Sequence, residues 1–215
     1  MLLFYYTATL ATRALMAFLT HSEVTGRQNV PRSGPLIIVS NHLNNVDPPV
    51  LSACVPRRIV FMAKEELYES RGISGLLARC FGAFPVRRGE VDRQALRQAL
   101  KVLETGLTLG LFPEGTRSPN SQMQSAQPGT AWIALESGSP ILPVAISGTE
   151  GIRTVVDILA RPTIRICIGR PFRLPEFPTG KRSTHLPEAT RIIMESIASL
   201  LPPEYRGVYS TEPSR

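Results

Sequence analysis

Two short stretches of the chain carry side chains suited to moving a proton and holding an anion. In VSNHLNNVDPP, His42 stands just after an apolar run and Asp47 follows five positions on. A carboxylate at Asp47 can accept a hydrogen bond from one imidazole nitrogen. That contact fixes the tautomer, leaves the other nitrogen as a base, and stabilises the imidazolium formed when it takes a proton. H-x-x-x-x-D is a loose pattern by itself, and a helix-capping aspartate beside an ordinary loop histidine satisfies it equally. In LFPEGTRS, Glu114, Gly115, Thr116 and Arg117 place a carboxylate, a permissive backbone, a hydroxyl and a guanidinium within four residues. Such a set suits a polar or phosphorylated group at a strand end, although a surface turn opened by Pro113 and Gly115 is the plainer reading. FGAFPVRRGE adds Arg87 and Arg88; adjacent arginines tend to split into one inward and one solvated, so only one is assigned a function.

The elements that must position these groups alternate. LIIVS (36–40) is an apolar run of buried-strand type, followed by a helix starting near Asp47 and Pro48. RIVFMA (58–63) is a second strand, 65–79 is helical, and 82–86 is a third, shorter strand. In VDRQALRQALKVLETG, Val91, Ala95, Leu96, Ala99, Leu100 and Leu103 form one apolar face; Asp92 caps the helix and Gly106 ends it. A strand over 107–112, a helix over 129–136, a strand over 141–147, a half-exposed strand over 163–169 near an edge and an amphipathic helix over 188–200 complete the pattern. A short strand and a turn-rich connection occupy HSEVTGRQNVPRSGP. Strands interleaved with helices predict an α/β fold with a central mixed, mostly parallel sheet covered by helices. The expected organisation is an N-terminal helix and connection (1–29), the α/β domain (30–203) and a loose tail (204–215).

A chain of 215 residues with 43% hydrophobic content suits one domain and excludes a disordered or fibrous polypeptide. Cys54, Cys80 and Cys167 are scattered and never form C-x-x-C, so neither a disulfide framework nor a cysteine zinc site is expected, and the compartment is a reducing one. No metal is implied. The net charge of +7 comes from 24 basic and 17 acidic residues, with no run of more than two Lys/Arg. That argues against nucleic acid and leaves anionic membranes and phosphorylated substrates as partners. Arginine-biased composition alone would give the same charge. In MLLFYYTATLATRALMAFLT, Arg13 interrupts the apolar run, and Thr9, Arg13 and Thr20 share one helical stripe, which favours a helix lying in a membrane interface over one spanning the bilayer. No basic segment precedes it, against a cleaved secretory signal. A helix packed on the protein's own core is the alternative. The expected location is the cytoplasmic side of a membrane, peripheral or monotopic.

Taken in order, NHLNNVD, GAFPVRR, FPEGTRS and ILPVAIS closely resemble the motifs of the glycerolipid acyltransferases, the 1-acylglycerol-3-phosphate acyltransferases and their relatives. The resemblance covers about Val30 to Gly148. It implies that His42 is the catalytic base and Asp47 its partner, that Glu114, Gly115, Thr116 and Arg117 belong to the acceptor-binding motif, that Arg88 helps hold the acceptor phosphate, and that Pro143 shapes the site or the acyl-donor side. It further implies acyl-CoA or acyl carrier protein as co-substrate, a lysophospholipid acceptor and no separate cofactor, the reaction giving phosphatidic acid. Glycerol 3-phosphate or another lysophospholipid as acceptor, a thioesterase, and a noncatalytic lipid- or CoA-binding relative are the alternatives. The chain departs from the family pattern at Asn44 and Asn45, where a serine and a bulky residue are common, and at Gln127 and Pro128, where a lysine often stands shortly before the glycine matching Gly129. No G-x-S-x-G elbow or other marked nucleophile lies near His42, so direct transfer to the acceptor hydroxyl is expected.

Overall fold

Seven strands form one sheet. The computed structural model describes residues 2–87, 89, 91–177 and 182–210. The strands are β1 (His21–Thr25), β2 (Leu36–Ser40), β3 (Ile59–Lys64), β4 (Phe84–Val86), β5 (Thr108–Leu111), β6 (Ile141–Ser147) and β7 (Thr163–Ile168), and their order across the sheet is β1-β7-β6-β2-β5-β3-β4. Every pairing is parallel except β6 with β7. The sheet is therefore mixed and mostly parallel, and the C-terminal ends of β2 to β6 gather along one edge, where ligands bind in open α/β sheets.

Period-two alternation in β2 sends successive side chains to opposite faces. Ile37 and Val39 join a core with Ala99, Leu103, Ile133 and Ile193, drawn from helices α5 (Arg93–Glu104), α6 (Gly129–Ser137) and α8 (Leu186–Ala198). Leu36 and Ile38 join the opposite core with Met16, Val50, Leu51 and Phe61, covered by α1 (Leu2–Leu19) and α2 (Asp47–Cys54). Both faces are covered, so β2 is buried along its whole length and reads in sequence as an unbroken apolar run.

The remaining helices refine the expected pattern. The 65–79 region divides at 70–72 into α3 (Glu65–Glu69) and α4 (Ile73–Cys80), and a short α7 (Val155–Leu159), which the periodicity did not reveal, follows β6. Asp92 caps α5 by accepting from Gln94 N and Ala95 N. The cap places Val91 before the helix and 77% exposed, not on its apolar face. β7 lies one strand in from the edge, because β1 pairs outside it. The tail is also less loose than expected over 204–210: Met123 N donates to Tyr205 O at 2.8 Å and Ala126 N to Tyr209 Oη at 3.3 Å. The last residues, 211–215, lie outside the described residues.

Helix α1 is attached by its polar stripe. Thr9 and Thr20 are buried, Arg13 Nε donates to the Ala53 carbonyl at 2.7 Å, and the buried Tyr5 hydroxyl accepts from Ile59 N at 2.9 Å. Apart from the buried Met16 and Tyr5, its large apolar side chains face outward: Leu3 is 74%, Phe4 67%, Leu10 67% and Phe18 77% exposed. This inverts the pattern of a helix packed on a soluble core. If Tyr5 anchors the helix to β3, Tyr5→Phe leaves the Ile59 N–H without an acceptor and should cost about 1 to 3 kcal/mol. Urea unfolding of the two proteins measures it; equal midpoints would show that Tyr5 contributes only packing.

Candidate active site

The central strands β6, β2 and β5 are neighbours, so the loops that follow them meet above one point of the sheet. At the end of β2 the side chain of Asn41 continues the ladder in place of backbone: its Nδ2 donates to Ile146 O at 2.8 Å and its Oδ1 accepts from Ile146 N at 2.9 Å. The main chain is then free to leave the sheet, and His42 is the next residue.

Asp47, fully buried at the first position of α2, gathers four donors. Its Oδ2 accepts from His42 Nδ1 at 2.8 Å and from the backbone N–H groups of Leu43 and Asn44 at 2.7 Å each, and its Oδ1 accepts from the Thr149 hydroxyl at 2.7 Å. Pro48 and Pro49 suit the first turn of a helix, whose N–H groups have no intrahelical acceptor. Asp47 Oδ2 already accepts from two backbone N–H groups, so an acceptor is what it offers the ring; with Nδ1 as the donor of this bond, the neutral ring presents Nε2 as the acceptor. The imidazole stacks on Phe112, centroid to centroid 4.1 Å, which limits its rotation.

The loop after β5 is sewn to the same histidine. Glu114 Oε1 accepts from His42 N at 3.0 Å and Oε2 from Gln124 N at 2.8 Å, while Ser118 N donates to His42 O at 2.8 Å. Both peptide groups of the histidine are thus clamped by residues 114 and 118. Burial pushes the Glu114 carboxyl up to about 7, against its two backbone donors, with the nearby Asp47 charge adding to the rise.

The family model described as Acyltransferase matches residues 21–147, from the first residue of β1 to the last of β6. The chain belongs to the acyltransferase family. It is 26% identical over 183 residues to the 1-acyl-sn-glycerol-3-phosphate acyltransferase of Bacillus subtilis, covering 85% of this chain and 86% of that one. A Pseudomonas aeruginosa lyso-ornithine lipid O-acyltransferase is 34% identical over 58% of this chain and 47% of its own length. Against the human 1-acyl-sn-glycerol-3-phosphate acyltransferase alpha the identity is 32%, over 60% of this chain and 46% of that one. The chain therefore spans nearly all of the Bacillus relative and about half of the other two. The crystal structure of the 1-acyl-sn-glycerophosphate (LPA) acyltransferase from Thermotoga maritima superposes with a TM-score of 0.69 at 26% identity, covering 91% of this chain and 79% of that one.

Within this acyltransferase fold the residues singled out from sequence separate into groups. His42 and Asp47 meet. Gly115 turns at φ 69, a left-handed conformation that favours glycine, with the Gln127 side chain close by. Thr116 and Arg117 are exposed on the stretch between the two clamps on His42. Glu114, expected to contact acceptor, is turned inward instead, 3% exposed with both oxygens occupied by backbone donors. Pro143 lies inside β6, paired with Val39 four residues before the strand ends, and its ring abuts Gly169. It is held in the sheet, away from the loops that form the site. Arg87 is engaged with Asp92, its N–H donating at 3.0 Å; Arg88 lies outside the described residues.

Sequence reasoning did not find Asn41, Phe112 or Thr149, and it noted Asn44 only as a departure from the family. Asn44 Nδ2 donates to Thr149 O at 3.0 Å and Ile152 O at 2.7 Å, tying the histidine loop to the loop after β6. Each of these residues lies at or within four positions of a predicted strand end, which was the available signal, but their partners are about seventy to a hundred positions distant in the chain.

The Glu114 carboxyl makes a pH prediction. Its folded value, about 7, lies above the ordinary 4.5, so the folded state holds this proton more tightly than the unfolded chain. Its contribution to stability is therefore largest below pH 4.5, falls as pH rises to about 7, and is level above that. Glu114→Gln removes the titration. The stability of the wild type relative to this variant should drop by up to about 3 kcal/mol across that window, measured by denaturant unfolding at several pH values; parallel curves would refute it.

Proposed function

We propose that the protein transfers a fatty acyl group from a thioester donor, acyl-CoA or acyl carrier protein, to the free hydroxyl of 1-acyl-sn-glycerol 3-phosphate, giving phosphatidic acid. One observation carries the chemistry: the four-donor shell of Asp47 holds His42 Nδ1 and leaves Nε2 as the proton acceptor. An alcohol attacks a thioester usefully only if its proton leaves as the C–O bond forms, a contribution of ~10² to 10⁴ in rate for a positioned base. Nε2 takes the proton while the hydroxyl oxygen bonds to the carbonyl carbon. The tetrahedral oxyanion then collapses, the C–S bond breaks, and the imidazolium returns the proton to the thiolate. Asp47 stabilises the imidazolium throughout without taking its proton.

The acceptor follows from the loop that clamps His42. The backbone carrying Arg117 is held between two anchors on the peptide groups of the base, and in this reading its guanidinium grips the acceptor phosphate. The names of the Bacillus and human relatives support the same acceptor. Arg88 is the second phosphate contact in this reading. A lyso-lipid with an amino-acid headgroup is the second reading, favoured by Gln127, which sits over Gly115 where relatives often carry a lysine, and by the name of the Pseudomonas relative. Helix α1, with its apolar face outward and its polar stripe inward, is read as lying in the interface of an anionic membrane, on the cytoplasmic side.

Offering acyl-CoA or acyl carrier protein with lysophosphatidic acid, glycerol 3-phosphate and lyso-ornithine lipid in turn, with product analysis, tests the substrate assignment; lysophosphatidic acid should be the preferred acceptor. His42→Ala should abolish nearly all turnover, and Asp47→Asn should cost on the order of 10⁴ through the wrong tautomer, as in serine-protease triads. Wild-type rates in either variant would contradict the mechanism. Arg117→Lys keeps the charge but loses the planar fork. It should lower kcat/KM for the phosphorylated acceptor about ten- to hundredfold, leaving the KM for acyl-CoA nearly unchanged. The opposite split would place Arg117 on the donor side.

A further inference from the structure

We propose that helix α7 is a second bilayer contact, which with the C-terminal end of α1 holds the mouth of the active site at the level of lipid headgroups. The proposal rests on the reading of α1 as an interfacial helix and extends it to an element distant in sequence. Two connections place α7. On one side, the loop that leads into it is bonded to the catalytic loop: Thr149 donates to Asp47, and Asn44 Nδ2 donates to the carbonyls of Thr149 and Ile152. On the other side, His21 N donates to Pro162 O at 3.0 Å, joining the turn after α7 to the first residue of β1, two positions past α1. The outward-facing Phe18 and Leu159 therefore each lie three residues before one end of this bond.

The surface of α7 has the make-up of a membrane contact. Ile158 packs inward against the core beneath α1 and α2, whereas Val156 is 70% and Leu159 62% exposed. The helix does not need these aliphatic groups for closure, because Thr154 and Asp157 form a reciprocal capping box at its start. Asp157 is spent on that cap, accepting from Arg153 N, Thr154 N and the Thr154 hydroxyl. Exposed arginines, Arg153 and Arg161, bracket the segment. Arg161 adopts a left-handed φ of 54, where glycine or asparagine would meet less strain. Aliphatic groups flanked by guanidiniums match an anionic bilayer, with apolar side chains among the acyl chains and charges at the phosphates. Contact at this point would present the base to acceptors without drawing them out of the membrane.

The test uses the full chain and co-sedimentation with phosphatidylcholine vesicles, with and without phosphatidylglycerol. Val156→Asp/Leu159→Asp should weaken partition onto the mixed vesicles by roughly tenfold or more, while turnover of a monomeric short-chain acceptor in solution stays at the wild-type level. Arg153→Gln/Arg161→Asn, which leaves the apolar groups in place, should lose only the enhancement due to phosphatidylglycerol, and it serves as the deciding variant if the aspartate substitutions lower the melting temperature. Leu10→Asp/Phe18→Asp in α1 separates the two ideas. Release of that variant with wild-type binding by both α7 variants overturns this proposal and leaves the α1 reading standing. Wild-type binding by all three variants overturns both. A change in sedimenting mass of the α7 variant, with vesicle binding unchanged, would assign the face to a second copy of the chain and also overturn the proposal.

Discussion

One buried carboxylate organises the reacting end of this molecule. Asp47 has no exposure to solvent and is sustained by four donors, three from the loop after β2 and one from the loop after β6. A buried anion is tolerable only when its lone pairs are filled, so the two loops must adopt the one geometry that fills them. The strand order β6-β2-β5 makes this possible, because it sets the loops side by side at the C-terminal edge of the sheet. Glu114 applies the same logic from the β5 side. Buried and raised toward neutrality, it binds the His42 N–H and the Gln124 N–H and fixes the loop after β5 to the histidine peptide.

These constraints explain what was legible in the sequence. LIIVS and ILPVAIS announce buried strands because both faces of the sheet are covered, and the helix after Asp92 announces itself through its cap and its spacing. The His42 and Asp47 pair was readable because its members stand five positions apart, between the end of β2 and the first residue of α2. Thr149 was not, since its role depends on β6 lying next to β2, which no local pattern encodes. Glu114 was recognised as part of a motif but expected to face a ligand; its inward turn follows from two backbone donors supplied by distant loops. Helix α7 has five residues, too few for periodicity to distinguish it from a turn.

The direction of α1 was the least obvious feature. Its stripe of Thr9, Arg13 and Thr20 is legible as polar, and polar groups on a surface helix ordinarily meet water. In this fold they meet the protein, through buried hydroxyls and the bond from Arg13 to Ala53 O, and Leu3, Phe4, Leu10 and Phe18 are left outside. That inversion and the proposed chemistry belong together. An acceptor with an apolar tail and an anionic head is met by an apolar outer face and a base clamped beside an arginine loop, both held by one sheet.

The central claim is that Asp47 fixes His42 with its hydrogen on Nδ1 and its acceptor at Nε2. Two-bond proton–nitrogen correlation spectra of protein labelled with 15N-histidine, recorded where the ring is neutral, measure this directly. A protonated, pyrrole-type Nδ1 and an unprotonated, pyridine-type Nε2 are predicted for His42. The reverse assignment, with the hydrogen on Nε2, would contradict the claim.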